Sequence, residues 1–301
     1  MHLRANSIGY AVPRTDFDAV VHSVFRFAVN LRPNKSNRLL TLLASDQADL
    51  PQGIRLDISE GLSFEGMLTG EPVLCRDGFL QFENPPLTIQ LRGARRWKCD
   101  LSTLEVDPAK PTISSAWSSV WDMLNQQQRL SGAEIIADDL FHSNGATRSV
   151  TARKTGEALQ DLVDATQRYE LADSSALCAL IGLGSGLTPS GDDLLVGYLA
   201  GLWCTIRRKS DRARFIAGLA KRIVHLSMRT NDISRTYLYH AAHGQVSSLL
   251  ADLAGNISRG ENSGRLLDSA KAAMNLGHSS GMDAVTGLMV GLIAWDKNLL
   301  H

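Results

Sequence analysis

The residues best placed to do chemistry fall in one stretch, Gly182-Leu-Gly-Ser-Gly-Leu-Thr-Pro-Ser-Gly-Asp-Asp193, which runs on into an apolar segment, 194–203. Glycines at 182, 184 and 186 make a loop whose backbone can approach another group closely. Thr188 or Ser190 can cap a following helix, and Pro189 suits its first position after a Thr188 cap. Asp192 and Asp193 then stand in the first turn, where the helix dipole favours negative charge. Free backbone N–H groups at such a helix start form an anion site. Gly184, Gly186, Thr188, Ser190 and Gly191 are therefore candidate substrate-binding residues.

The stretch has an echo. Residues 278–291 read His-Ser-Ser-Gly-Met-Asp-Ala-Val-Thr-Gly-Leu-Met-Val-Gly, and set against 188–201 they give five ungapped identities at an offset of 90. Ser190 pairs with Ser280, Gly191 with Gly281, Asp193 with Asp283, Gly197 with Gly287 and Gly201 with Gly291. This is the pattern of one loop–helix device used twice. Each copy continues into Gly-x-x-x-Gly, a spacing that puts both glycines on nearly one helix face. Glycine inside a helix costs about 1 kcal/mol relative to alanine, so four of them call for a packing reason. The expectation is that two helices cross at their glycine faces. An approximate two-fold axis would then bring both Ser-Gly-x-Asp loops to one cleft. The plainer alternative is a pair of well-capped core helices with no ligand.

Several chemistries fit these residues. Asp192, Asp193 and Asp283 can ligate Mg²⁺ or another hard cation, or can merely decorate helix starts. Asp193 and Asp283, recurring at the same place in both copies, are also catalytic candidates. If two such aspartates meet, a cation, a proton or a donor such as His278 or Tyr237 must lie between them. His278 stands where the first copy has Thr188, and can transfer a proton, donate to an oxyanion, or simply cap. Ser279, Ser280 and Gly281 complete the second loop as substrate-binding candidates. In Ser234-Arg-Thr-Tyr-Leu-Tyr-His-Ala-Ala-His-Gly244, Tyr237 can reach a cleft or pack in a core, and Gly244 is small enough to pass close to another helix. His240 and His243 are spaced as a metal pair but lack a supporting Glu-x-x-His context. Arg92, Arg95 and Arg96 can grip a carboxylate or form a solvated turn. A dinucleotide fingerprint is excluded, because Leu187 stands where the third glycine belongs. A phosphate loop is excluded because no Gly-Lys-Ser/Thr follows.

The elements that must position these groups fall into two kinds. Short alternating apolar runs with glycine, proline and Asn/Asp between them occupy about residues 15–100, with an Asp77-Gly78 hairpin signal. Among them, residues 14–32 read as a strand or short helix, and a strand is expected at 38–43. Beyond a linker at Asp107-Pro-Ala-Lys-Pro111 nearly everything has helical periodicity, including 133–141 and one long helix from an Asp232 or Ser234 cap to about Leu253. The fold class is α+β: a small N-terminal β-barrel or sandwich, residues 1–106, then an α-helical domain, residues 112–301. Equal numbers of basic and acidic residues, 31 each, argue against nucleic acid or a membrane surface as partner. The apolar runs are too short to span a bilayer. Four scattered cysteines signal no disulfide framework, so a reduced cytoplasmic protein is expected.

Gly184-Ser-Gly-Leu-Thr-Pro-Ser-Gly-Asp-Asp193, Ser234-x-x-Tyr-Leu-x-x-Ala-Ala-x-Gly244 and Leu276-Gly-His-Ser-Ser-Gly-Met-Asp283 together resemble the AllH-type subunit of bacterial oxamate carbamoyltransferase. The resemblance extends through Val29-Asn-Leu31 and Leu39-Leu-Thr-Leu42 in the N-terminal region. It implies purine catabolism and allantoin degradation. Carbamoyl phosphate and oxamate would exchange with oxalurate and phosphate, in an assembly with two other carbamoyltransferase subunits. Carbamoyl transfer needs a held phosphate, a polarised carbonyl and an aligned acceptor amide. Two glycine loops and His278 can supply those parts for a small anionic substrate. The alternative from another class is a non-catalytic ligand-binding or scaffold subunit, in which the Gly-x-x-x-Gly positions would serve assembly.

Overall fold

The computed structural model describes residues 1–57, 63–141, 149–170, 174–207, 209–260, 264–277 and 279–296. The chain divides into two compact units, Met1–Cys99 and Asp100–His301. Among the described residues no helix is long and apolar enough to cross a membrane.

The first unit is a closed barrel. Its strands are β1 (His2–Gly9), β2 (Phe17–Val24), β3 (Ala28–Pro33), β4 (Leu40–Leu43), β5 (Gly53–Leu56), β6 (Pro72–Arg76), β7 (Phe79–Phe82), β8 (Leu87–Gln90) and β9 (Arg95–Trp97). They run in the order β5-β4-β3-β2-β6-β7-β8-β1-β9, and β5 also pairs with β1, which closes an eight-stranded ring. β1 makes this possible through its length. One edge carries β8 along His2–Arg4 and then β9 along Ser7–Gly9, while the other pairs with β5. Closure removes the exposed sheet edges. Inward positions alternate with outward ones, as in β6, where Val73 and Cys75 are buried and their neighbours exposed. Leu31, Leu42, Ile54, Leu56, Leu80 and Ile89 form the interior. Asp77 and Gly78, both with positive φ, make the β6–β7 turn. Residues 14–32, ambiguous by pattern, carry β2 and β3.

The arginine cluster is used within this barrel. Arg95 donates to Asp49 at 2.7 Å, and Arg55 reaches the same carboxylate at 3.0 Å. Arg96 donates to the carbonyls of Tyr10 and Val12. Arg92 pairs with Asp77 at 3.7 Å and lies over the Phe79 ring.

The second unit is helical: α1 (Pro111–Ser131), α2 (Ala137–Phe141), α3 (Val150–Arg168), α4 (Ser174–Leu180), α5 (Ser190–Cys204), α6 (Ser210–Leu226), α7 (Asp232–Ala242), α8 (Ser248–Arg259), α9 (Gly264–Met274) and α10 (Ser280–Ile293). α5 and α10 are buried on almost every face and form the centre. Helices buried all round need no amphipathic stripe, and these two read as continuous apolar runs. α7 packs on α5, and α1 and α9 pack on α10.

Two helices differ from the periodicity. The long helix expected from 232 to 253 is two, α7 and α8. Gly244 breaks it at φ +71, a backbone conformation that side chains rarely adopt, with the Trp203 ring 3.2 Å from where a Cβ would stand, and Ser247 caps the second piece. The cap of α7 is Asn231, whose Oδ1 accepts from Ile233 and Ser234 N–H, rather than Asp232 or Ser234. The helix expected over 133–141 shortens to α2, because Gln128 and Asn125 of α1 accept from the Ala137 and Asp138 N–H groups and set its start there.

Candidate active site at two crossed helices

α5 and α10 cross with their glycines face to face. A methyl at Gly197 would overlap the Ala284 carbonyl, and one at Gly287 would overlap the Leu194 carbonyl. Gly201 is as close to the Leu288 carbonyl as Gly291 is to that of Tyr198. Residues 194 and 284, and 198 and 288, are each 90 apart, so every contact recurs with the partners exchanged. That is the approximate two-fold relation expected from the duplicated sequence, and it explains the four interior glycines. The starts of both helices are fixed similarly. Gly191 lies against the Leu180 carbonyl and Gly281 against that of Ala273. Gly191 N–H donates to Leu183 and Gly281 N–H to Leu276.

The same axis relates the polar groups. Neither helix is capped by its own hydroxyl, so the local cap expected at Thr188 or Ser190 is absent. Instead the hydroxyls reach across. Ser190, at the start of α5, hydrogen-bonds to Asp283 of α10, and Ser280, at the start of α10, to Asp193 of α5. Thr188 also serves Asp193 and lies 2.6 Å from the Ser280 hydroxyl. Asp193 and Asp283 are 8% and 4% exposed, and Oδ2 of each has no hydrogen-bond partner among the described residues.

Burial on this scale decides the charge. It pushes the Asp193 carboxyl well above the usual range; Ser280 and Thr188 oppose the rise, and the charges of Asp283 and Asp192 add to it. Burial raises Asp283 to about 7, against the Ser190 hydrogen bond and with the help of Glu134. Burial thus favours the neutral form of both carboxyls. Tyr237, half-buried, is raised to about 12 by burial and then by the charge of Asp193, which lies within electrostatic reach of it.

Asp192 faces the other way. Its Oδ1 accepts from Gly182 N–H at 2.9 Å and its Oδ2 from the Thr230 hydroxyl at 2.5 Å. Burial raises its pKa too, opposed by Thr230, Gly182 and Ser234. The loop it anchors has positive φ at Gly182, Gly184 and Gly186, which explains glycine at each. Gly184, Gly186 and Leu187 are exposed, and the space over Gly186 is open. The N–H groups of Gly191, Asp192 and Asp193 are not free, as the sequence suggested, but donate to Leu183 and Pro189. In the first copy the groups left exposed are the glycine loop and part of the hydroxyls.

Ser279 precedes α10 half-buried, and His278 lies outside the described residues. Among the described residues no three His, Cys, Asp or Glu side chains gather as a metal site. Asp192, Asp193 and Asp283 are engaged as above. His240 is buried in α7, while His243 bonds the Tyr239 carbonyl at 2.7 Å. Thr230 and Asn231, which hold the glycine loop, escaped the sequence reading; the run Thr230-Asn-Asp232 carried the signal only as a helix cap.

Residues 180–292 match the family described as oxamate carbamoyltransferase subunit AllH, and residues 4–96 match the AllH family N-terminal domain. No solved structure matches the chain. The first match spans the crossed helices with both loops, the second most of the barrel, and together they cover most of the sequence: the chain belongs to the AllH family of oxamate carbamoyltransferase subunits.

Proposed function

We propose that this subunit takes part directly in moving a carbamoyl group between carbamoyl phosphate and oxamate. The cleft where the two Ser-Gly-x-Asp loops meet at the starts of α5 and α10 holds the substrate anion. In the forward direction the oxamate amide nitrogen attacks the carbamoyl carbon, a C–N bond forms, the C–O bond to phosphate breaks, and the amide proton leaves as oxalurate and phosphate are released. The enzyme must neutralise phosphate charge, polarise the carbamoyl oxygen and accept that proton. Thr188, Ser190, Ser279 and Ser280 offer hydroxyls, Gly184 and Gly186 offer exposed backbone, Gly191 and Gly281 let the two loops pack closely enough to bring those groups together, and Tyr237 offers a phenol. Asp193, kept neutral, is a donor. Asp283, titrating near neutrality, can accept and return a proton, and His278 is the second candidate for that step. Two further subunits complete the assembly.

The observation that carries this reading is the crossed pair Ser190–Asp283 and Ser280–Asp193, which gathers titratable groups from distant sequence at one exposed glycine loop. Calorimetry with carbamoyl phosphate, oxamate, oxalurate and phosphate, on the chain alone and with its partner subunits, tests it. Binding of one of these anions supports it, and loss of turnover in the reconstituted assembly carrying Asp283→Asn supports the catalytic role.

One observation favours a scaffold reading. Each aspartate bonds a hydroxyl of the other copy, so packing alone can account for both. Under that reading Asp193→Asn and Asp283→Asn leave the assembly's turnover intact. The Gly-x-x-x-Gly positions, offered as serving assembly, pack α5 and α10 against each other within this chain.

A further inference from the structure

The two copies differ in how their loops are held. Between Leu183 and Gly191, joined by a backbone hydrogen bond, lie residues 184–190, seven in all. The matching bond between Leu276 and Gly281 spans only residues 277–280, four in all. The longer loop carries positive φ at Gly184 and Gly186 and is exposed along 184–187. A loop of that composition has many conformations open to it, and holding one of them costs entropy.

The structure supplies the restraint from the entrance to α7. Asn231 Nδ2 donates to the Leu187 carbonyl at 2.9 Å and holds the far end of the loop. Thr230 donates to Asp192, which accepts from Gly182 N–H and so holds the near end. The second copy has Met282 in the place of Asp192. A helix cap requires only the acceptor oxygen of Asn231. The amide donor is surplus to capping, and it is the end that reaches the loop.

We propose that Asn231, with Thr230, is a positioning residue of the anion cleft: the two clasp the glycine loop at both ends and set the backbone that meets the substrate. The proposal rests on the reading of that loop as the anion site. It gives α7 a role in the cleft beyond the Tyr237 it carries.

Asn231→Asp separates the two jobs of the side chain. The carboxylate still caps α7 and suits its dipole, but it cannot donate to Leu187. The variant should melt as the unaltered protein does. Amide hydrogen exchange across residues 182–191 should quicken about tenfold, and calorimetric affinity for carbamoyl phosphate should fall by a similar factor, the scale of one lost hydrogen bond. Thr230→Val should loosen the loop likewise, and Thr230→Ser should restore it. Unchanged loop exchange in Asn231→Asp would overturn the clasp. Faster exchange with unchanged affinity would overturn its bearing on the substrate. If the unaltered protein, alone and assembled, binds none of the four anions, the cleft reading fails by itself, and the exchange measurement still decides the clasp.

Discussion

Ser190 begins α5 but hydrogen-bonds to Asp283 of α10, and Ser280 returns the arrangement to Asp193. A serine at a helix start ordinarily serves the N–H groups of its own first turn. Here each serves a buried carboxyl of the other helix. Removing either hydroxyl should therefore disturb the partner helix. Ser190→Ala should raise the Asp283 carboxyl above its value near 7, since the lost bond was the one opposing burial. It should also lower stability by about 1 kcal/mol. Carboxyl titration by isotope-edited infrared spectroscopy and urea unfolding would read the two effects.

The glycine crossing is the most sensitive packing feature. Gly197→Ala or Gly287→Ala drives a methyl into a carbonyl of the facing helix and should cost about 3 kcal/mol. Gly264→Ala, at the open start of α9, should stay within about 0.5 kcal/mol. Urea midpoints for the three variants would give this ranking.

Stability should fall as pH rises. Asp283 is raised from 3.8 unfolded to about 7 folded, so the folded state holds its proton more tightly. Its contribution is fully present below about pH 4 and is lost as pH climbs through 7. Above that the whole cost of burying the charge is felt, with a slope of at most about 1.4 kcal/mol per pH unit from this group. Asp193 moves in the same direction and adds to the decline. Urea unfolding at pH 5 and pH 8 should show the loss, and Asp283→Asn should reduce it.

In the barrel, Arg95→Ala breaks an ion pair with a carboxylate that is nearly buried. Arg55 and Ser7 still hold Asp49, so the loss should be about 1 kcal/mol, with no change in substrate KM of the assembly. A raised KM would return Arg95 to the list of substrate ligands.

The duplicated device was legible because identity at a fixed offset survives without any alignment, and because four glycines inside helices demand a close neighbour. The barrel strands were legible where they alternate, as at Val73–Cys75 and Phe79–Phe82. Two strands were harder to see. β1 alternates over His2–Asn6 with its polar residues outward, but the pattern breaks at Ser7, which is buried against an internal ion pair, and β9 is a three-residue run of two arginines and a tryptophan. The helix break at Gly244 was passed over because apolar periodicity runs on across it, although its glycine and the Ser247 cap are local signals. Propensity rules place a serine's bond in its own helix, so they also missed the crossed Ser–Asp pairs. The clasp by Thr230 and Asn231 is a tertiary event that no local pattern records.

The crossed serines have a consequence for how the protein is made. When Ser190 is added to the growing chain, the aspartate it will bond is still 93 residues from being synthesised, as the positions of Ser190 and Asp283 require. At about 5–20 residues per second that interval is roughly 5 to 20 s. During it Asp193 lacks Ser280, and the glycine face of α5 has no α10 to lie on. The nascent chain thus carries an apolar, half-finished centre until its last helix arrives, and a message truncated before residue 280 encodes a protein whose central helix can never be completed.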